Sequence, residues 1–210
     1  MRHGHFQDHA AGQGKRERTR AALLDAAVHV VAEKGLEAAK ISDITTAAGL
    51  ANGTFYNHFT DKDQILREAA YGLGLEVARQ LDAEMAGIED AARRVVTATS
   101  RFIAILMIEP DWAAVLLGSA DHLPGMREEM FRYLRGDLER GVAQGRFNVE
   151  VTSFLLDQVA SLIAVAIRVQ LQAGADPAVT QQVCESILRL LGMPPAKARK
   201  AIESGMRVPS

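Results

Sequence analysis

Asn52, Thr54, Tyr56, Asn57 and His58 stand within seven residues of one another, with Lys62 four further on, in the stretch NGTFYNHFTDK. Amides both donate and accept hydrogen bonds, hydroxyls and an imidazole can donate to anionic oxygens, and an ammonium neutralises charge. Such a set suits phosphates and base edges, and an outward amide such as Asn57 can pair bidentately with adenine. Aromatic residues make up only 5% of the chain, yet three of them fall in the eight positions NGTFYNHF. At about 100° per residue, Phe55 and Phe59 share one helical face and Asn57 points almost directly away from it. Gly53 and Thr54 share the outer side, with Tyr56 and His58 on the flanks. Two rings are therefore predicted to anchor a helix whose other side is polar. Upstream, KRERTR at 15–20 has four basic residues and one acidic. Its Arg16, Arg18 and Arg20 form either a solvated arm or one that reaches along phosphates or into a minor groove.

The elements that must hold these groups read as helices throughout. An amphipathic helix over 16–34 turns Leu23, Leu24, Ala27, Val28 and Val31 inward and stops at Gly35. ISDITTAAG predicts a short helix over 42–48 with Ile44 and Ala47/Ala48 inward, ended by Gly49, whose freedom at positive φ suits a tight turn. A short helix, a glycine turn and a second short helix, ISDITTAAGLANGTFYNHF, have the sequence form of a helix-turn-helix. TDKDQIL starts a long helix with Thr60 or Asp61 as N-cap. That helix contains Gly72 and Gly74, each costing roughly 1 kcal/mol relative to alanine. Either a neighbour packs very close there or the helix bends. Further helices are predicted at 89–109, 111–119, 124–144, 150–173 and 177–191, with a last turn over 195–205. The expectation is an all-α chain of about nine helices: a disordered arm over 1–14, a three-helix head over 15–66 and a larger helical domain over 67–210.

From RTRAALLDAAVHVVAEKGLEAAKISDITTAAGLANGTFYNHFTDKDQIL, residues 18–66, the chain resembles the TetR family of bacterial transcriptional regulators, most specifically in AAGLANGTFYNHFTDKDQIL. The family pattern carries over at Gly49, Gly53, Thr54, Tyr56, His58, Phe59 and Lys62. The resemblance implies that Gly53 lets backbone approach DNA closely, that Thr54, Tyr56 and His58 contact phosphates or base edges, and that Lys62 holds a phosphate. Two positions depart from the pattern. Lys40 stands where the family usually has Thr, and lysine there can still neutralise a phosphate. Ala51 stands where Ser usually caps the reading helix, a loss of ~1 kcal/mol unless Asn52 takes over.

Past residue 70 the resemblance implies a helical domain for ligand sensing and dimerisation. Phe102, Met107, Trp112, Met126, Met130 and Phe131 are large, adaptable side chains that could line an apolar cavity, although each could equally be ordinary core. FLLDQVASLIAVAIRVQL, 154–171, is apolar on nearly every face and so needs cover on more than one side. Leu162, Val165 and Val169 there, with Val183, Ile187 and Leu190 of the next helix, are the expected contacts of a homodimer. Arg168 within this apolar run is expected either to pair with Asp157 or another carboxylate across the interface or to face the cavity and bind an anionic group.

Composition bounds the alternatives. Net charge is −2, and residues 1–70 hold nine basic and nine acidic side chains, so contact with double-stranded DNA must rest on a few placed charges. The lone Cys184 allows no internal disulfide and suits the cytoplasm. SLIAVAIRVQL at 161–171 is too short to span a bilayer, and no membrane role is expected. No nucleophile elbow, phosphate loop or paired-carboxylate motif argues for an enzyme. HGHFQDH at 3–9 sits on a terminus without fixed geometry, so neither metal nor cofactor is expected. The function expected is a ligand-responsive regulator, a repressor released from a near-palindromic operator by a small, mainly apolar molecule; the alternatives are an activator of the same family and a helical protein-interaction module that does not bind DNA.

Overall fold

The computed structural model describes residues 4–85, 87–122 and 126–206, and the described residues hold eleven helices and no strand. In chain order these are α1 (His5–His9), α2 (Lys15–Lys34), α3 (Ile41–Ala47), α4 (Asn52–Phe55), α5 (Lys62–Met85), α6 (Ala91–Ile108), α7 (Pro110–His122), α8 (Met126–Ala143), α9 (Ser153–Ala173), α10 (Pro177–Leu190) and α11 (Pro195–Gly205). They form two compact units. One takes the described residues up to Leu75 together with Pro110–Arg127; the other takes Glu76–Glu109 and the described residues from Glu128 on. The division thus falls inside α5, beyond the expected boundary at residue 66, and α7 joins the first unit.

In the first unit α2 is the hub, with α1, α3 and α7 packed on it. All five residues expected inward are buried, and Ala21, Ala26 and Val30 are buried as well, because α2 is covered on more than one side. Gly35 ends it at φ +83°, its N–H bonded to the Val31 carbonyl. On α3, Ile44 is buried as expected and Ala48, just past its end, is half-buried, whereas Ala47 is exposed and Thr45 takes the other buried place. Gly49 adopts φ +68°, the conformation a turn between two crossing helices needs. Asp61 caps α5 by accepting from the Gln64 N–H at 2.7 Å, which holds its carboxyl below the usual range.

Where an arm without structure is expected, the structure holds α1. Its own cap position is Gly4, which has no side chain. The missing acceptor comes from α2: the Asp25 carboxylate takes the N–H groups of Phe6 at 3.0 Å and Gln7 at 2.9 Å. The Phe6 ring lies over Gly72, where a Cβ would come within 2.5 Å of it. The His5 ring meets Trp112 of α7 edge-on at 5.1 Å. Gly72 is therefore a seat for a neighbour. Gly74 has nothing within 4 Å of where its Cβ would stand.

The second unit is built around α6, α9, α10 and α11. Val96, Ile103 and Leu106 of α6 are buried with Leu156, Val159 and Ile167 of α9 and Ile187 and Leu188 of α10. The segment expected as a last turn is a full helix, α11, laid so closely on α6 that a Cβ on Gly205 would lie 2.7 Å from Val96. The Thr97 hydroxyl donates to the Gly205 carbonyl at 3.0 Å. Arg94 pairs with Asp137 at 2.8 Å in a mostly enclosed site and also donates to the Met85 carbonyl. The Cys184 thiol is buried, 3.6 Å from the Ser100 hydroxyl, and burial pushes it up to about 11. With 21 residues, α9 is longer than the apolar passage read from sequence, and by length and composition alone it could cross a membrane. Its inner face instead packs on α6 and α10.

Candidate nucleic-acid interface

The reading segment is shorter as a helix than the periodicity suggests. Only Asn52–Phe55 is α-helical, and Tyr56, Asn57 and His58 continue as a turn closed by bonds from the Asn57 and His58 N–H groups to Thr54 and Phe55. The facing nevertheless follows expectation. Phe55 and Phe59 are 0% and 2% exposed, whereas Tyr56 is 62% exposed. Asn52, Gly53 and Asn57 are exposed, and Thr54 and His58 are half-buried. A Cβ on Gly53 would meet nothing within 4 Å. The packing of the chain therefore does not demand glycine there.

The start of α4 differs from either capping alternative. Ala51 offers no side-chain cap, and Asn52 does not replace it. The Asn52 amide oxygen is instead bonded to the Thr45 hydroxyl of α3, which fixes the crossing of the two helices. Asn52 therefore ties the motif together from its exposed edge.

Among the cations, Arg16 and Lys40 are exposed, and Arg18 is exposed while donating to the Gln13 carbonyl at 2.8 Å. Arg20 is drawn inward, paired with Glu68 and lying 5.0 Å over the Phe59 ring, so it braces α2 against α5. Lys62 is half-buried, and its ammonium donates to the carbonyls of Leu36 and Glu37. Lys40 is the N-cap residue of α3, its backbone N–H held by Asp43. Asp43 also pairs with Lys34 at 2.8 Å, and this contact first of all lowers its pKa. The His58 Nδ1 is enclosed and has no partner, and desolvation, with Arg16 and Arg20 nearby, lowers its pKa below the ordinary imidazole range. A neutral ring with an enclosed Nδ1 can donate outward through Nε2.

The remaining predicted contacts divide. Phe102 and Met107 are half-buried on α6 and Phe131 on α8, all in the second unit. Trp112 lies in the first, against His5. The side chains of Met126 and Met130 lie outside the described residues. Of the dimer set, Val165 and Val169 are 54% and 44% exposed and Leu162 is half-buried, on one outer face of α9 with Phe154 at 70%. Val183 and Ile187 are 6% and 0% exposed within their own chain, because the single apolar stripe of α10 is used against α6 and α9. Leu190 is half-buried, and Arg168 is exposed on α9's outer face and not paired inward.

The sequence signals miss Asp25, Thr45 and the inward role of Arg20, because each depends on a partner distant in the chain.

An all-helical chain that presents a helix-turn-helix of this facing has the architecture of a DNA-binding regulator. Residues 23–69 match the model for bacterial regulatory proteins of the tetR family, and residues 90–204 match that for the tetracyclin repressor-like C-terminal domain. The chain belongs to the TetR family of DNA-binding transcriptional regulators. It is 41% identical over 68 residues to the uncharacterized HTH-type transcriptional regulator YvdT of Bacillus subtilis, a match covering 32% of this chain and 35% of that one. It therefore spans about a third of that relative's length. It is 28% identical over 144 residues to the repressor KstR2 of Rhodococcus jostii, covering 63% and 69%. The structure of RolR in complex with resorcinol is similar at a TM-score of 0.68 and 26% identity, covering 93% of this chain and 97% of that one.

Proposed function

We propose that the protein is a homodimeric repressor that binds a near-palindromic operator and is released by a small, mainly apolar molecule. The observation that carries this is the division of NGTFYNHF into buried Phe55 and Phe59 and an outer surface of Gly53, Thr54, Tyr56, Asn57 and His58. Two copies would enter successive major grooves about 34–36 Å apart. Arg16, Arg18 and Lys40 would neutralise phosphates, and Asn57 would read a base edge. The apolar outer face of α9 would supply the dimer contact. In the ligand's case the support is kinship with RolR, whose structure holds resorcinol, and the large side chains Phe102, Met107 and Phe131. Small phenols are the first class to try. Release would follow a bend of α5, and with Gly72 occupied by Phe6, Gly74 is the open position for it.

The test is recovery of DNA from fragmented source genome at ~150 mM salt, where weak phosphate-only binding is suppressed. A few fragments sharing a near-palindrome, released by a phenol, support the reading. Recovery without sequence preference sinks it.

A further inference from the structure

The start of α5 holds a lysine whose ammonium faces the protein. Lys62 Nζ lies 3.1 Å from the Leu36 carbonyl oxygen and 3.2 Å from that of Glu37. Both carbonyls belong to the turn that follows Gly35. A hydrogen bond from a charged donor is stronger than one between neutral groups. Two such bonds join residues 25 and 26 positions apart in sequence and leave one ammonium proton free.

The held turn leads straight into the reading motif. Glu37 stands three residues before Lys40, the N-cap residue of α3, and Asp43 of α3 is tied back to Lys34 of α2. The connection from α2 to α3 is thus fixed on two sides, by Lys34–Asp43 and by Lys62. Leu36 adds a third contact, its side chain lying 3.8 Å from where a Cβ on Gly118 of α7 would stand. Lys40 itself is exposed and free to meet a phosphate.

We infer that Lys62 is a positioning residue for DNA binding: it sets the entry of α3, and with it Lys40 and the reading turn, by bonding the Leu36 and Glu37 carbonyls, and it does not itself neutralise a phosphate. The inference rests on the family's DNA binding. It differs from the phosphate contact that the sequence resemblance implies for this lysine, and the two roles have different salt signatures. Each phosphate neutralised contributes about −0.9 to the slope of log K against log salt. A positioning residue lowers affinity at every salt concentration and leaves the slope alone.

The experiment measures anisotropy of a labelled mixed-sequence duplex of ~30 base pairs, long enough for two half-sites, across a salt series. The full chain is compared with Lys62→Met, Lys62→Gln and Lys40→Met, each first checked for an intact helical spectrum at the assay temperature. Lys62→Met should bind about tenfold more weakly at each salt concentration, the scale of losing charged hydrogen bonds, with an unchanged slope. Lys62→Gln, neutral but still a donor, should recover part of that loss. Lys40→Met should lessen the slope by about 0.9. A Lys62→Met slope lessened by about 0.9, or no rescue by Gln, assigns the residue to a phosphate and overturns the inference. Unchanged affinity in Lys62→Met overturns it as well. No binding by the parent chain would instead remove the DNA reading on which the inference rests. Should Lys62→Met fail to fold, the Lys62→Gln slope alone decides between the two roles.

Discussion

α9 and α10 pack side by side and carry similar stripes of Val, Ile and Leu, yet their outer faces are opposites. α9 exposes Phe154, Val165 and Val169, while α10 turns Val183, Cys184, Ile187 and Leu188 inward and shows Gln181, Gln182, Glu185 and Arg189 outside. The difference teaches that an apolar stripe at helical spacing records the need for cover, not what provides it. α10 has one stripe and its own chain covers it. α9 has apolar residues on both sides, and its inner set alone is satisfied within the chain. Of these two helices α9 is the one that keeps an apolar outer face, the face that the proposed dimer would use.

The largest effect should come from the inward stripe. Ile187→Ala, at a site with 0% exposure, is expected to lower unfolding free energy in denaturant by ~2–5 kcal/mol. A loss below ~0.5 kcal/mol would mean that Ile187 is not core and would return it to the interface set. Next, Val165→Asp with Val169→Asp should raise the dimer dissociation constant at least ~10-fold in sedimentation, with the helical content of the protomer intact. An unchanged dimer would place the contact elsewhere. The caps should not distinguish the two helices. The Thr152 side chain accepts from the Leu155 N–H and that of Asp176 from the Ala178 N–H. Thr152→Ala and Asp176→Ala should each cost ~1 kcal/mol at fixed protein concentration. Smallest of all, Glu185→Ala on the outer face of α10 should leave both dissociation constant and midpoint unresolved from the parent. A clear rise in dissociation constant would show that α10 lies in the contact after all.

The same distinction explains what the sequence makes readable. The inward residues of α2, the turn at Gly49 and the facing of Phe55 and Phe59 against Asn57 all follow from local periodicity, because partner and signal lie within a few residues. The α1 segment is different. Its cap, Asp25, stands 19 residues from Phe6, and its seats, Gly72 and Trp112, lie farther still. No local pattern marks these as belonging together. Gly72 and Gly74 look alike in sequence, and only the Phe6 ring separates them. At the reading motif, residue types show a polar outer side, but they cannot reveal that Lys62 donates to the Leu36 and Glu37 carbonyls and that Arg20 pairs with Glu68, while Lys40 stands exposed.

The buried Cys184 has a practical consequence. It is the chain's one thiol. With its pKa pushed up to about 11, it offers almost no thiolate at neutral pH and no open path to a reagent. A cysteine introduced at Asn57 or Val165 would then be the one site that maleimide dyes or spin labels modify quickly, without first removing the native residue. The native thiol, in turn, becomes a clock. Its alkylation requires the α6–α10 contact to open, so the rate at which Cys184 reacts reads the opening of that core in a protein otherwise left untouched.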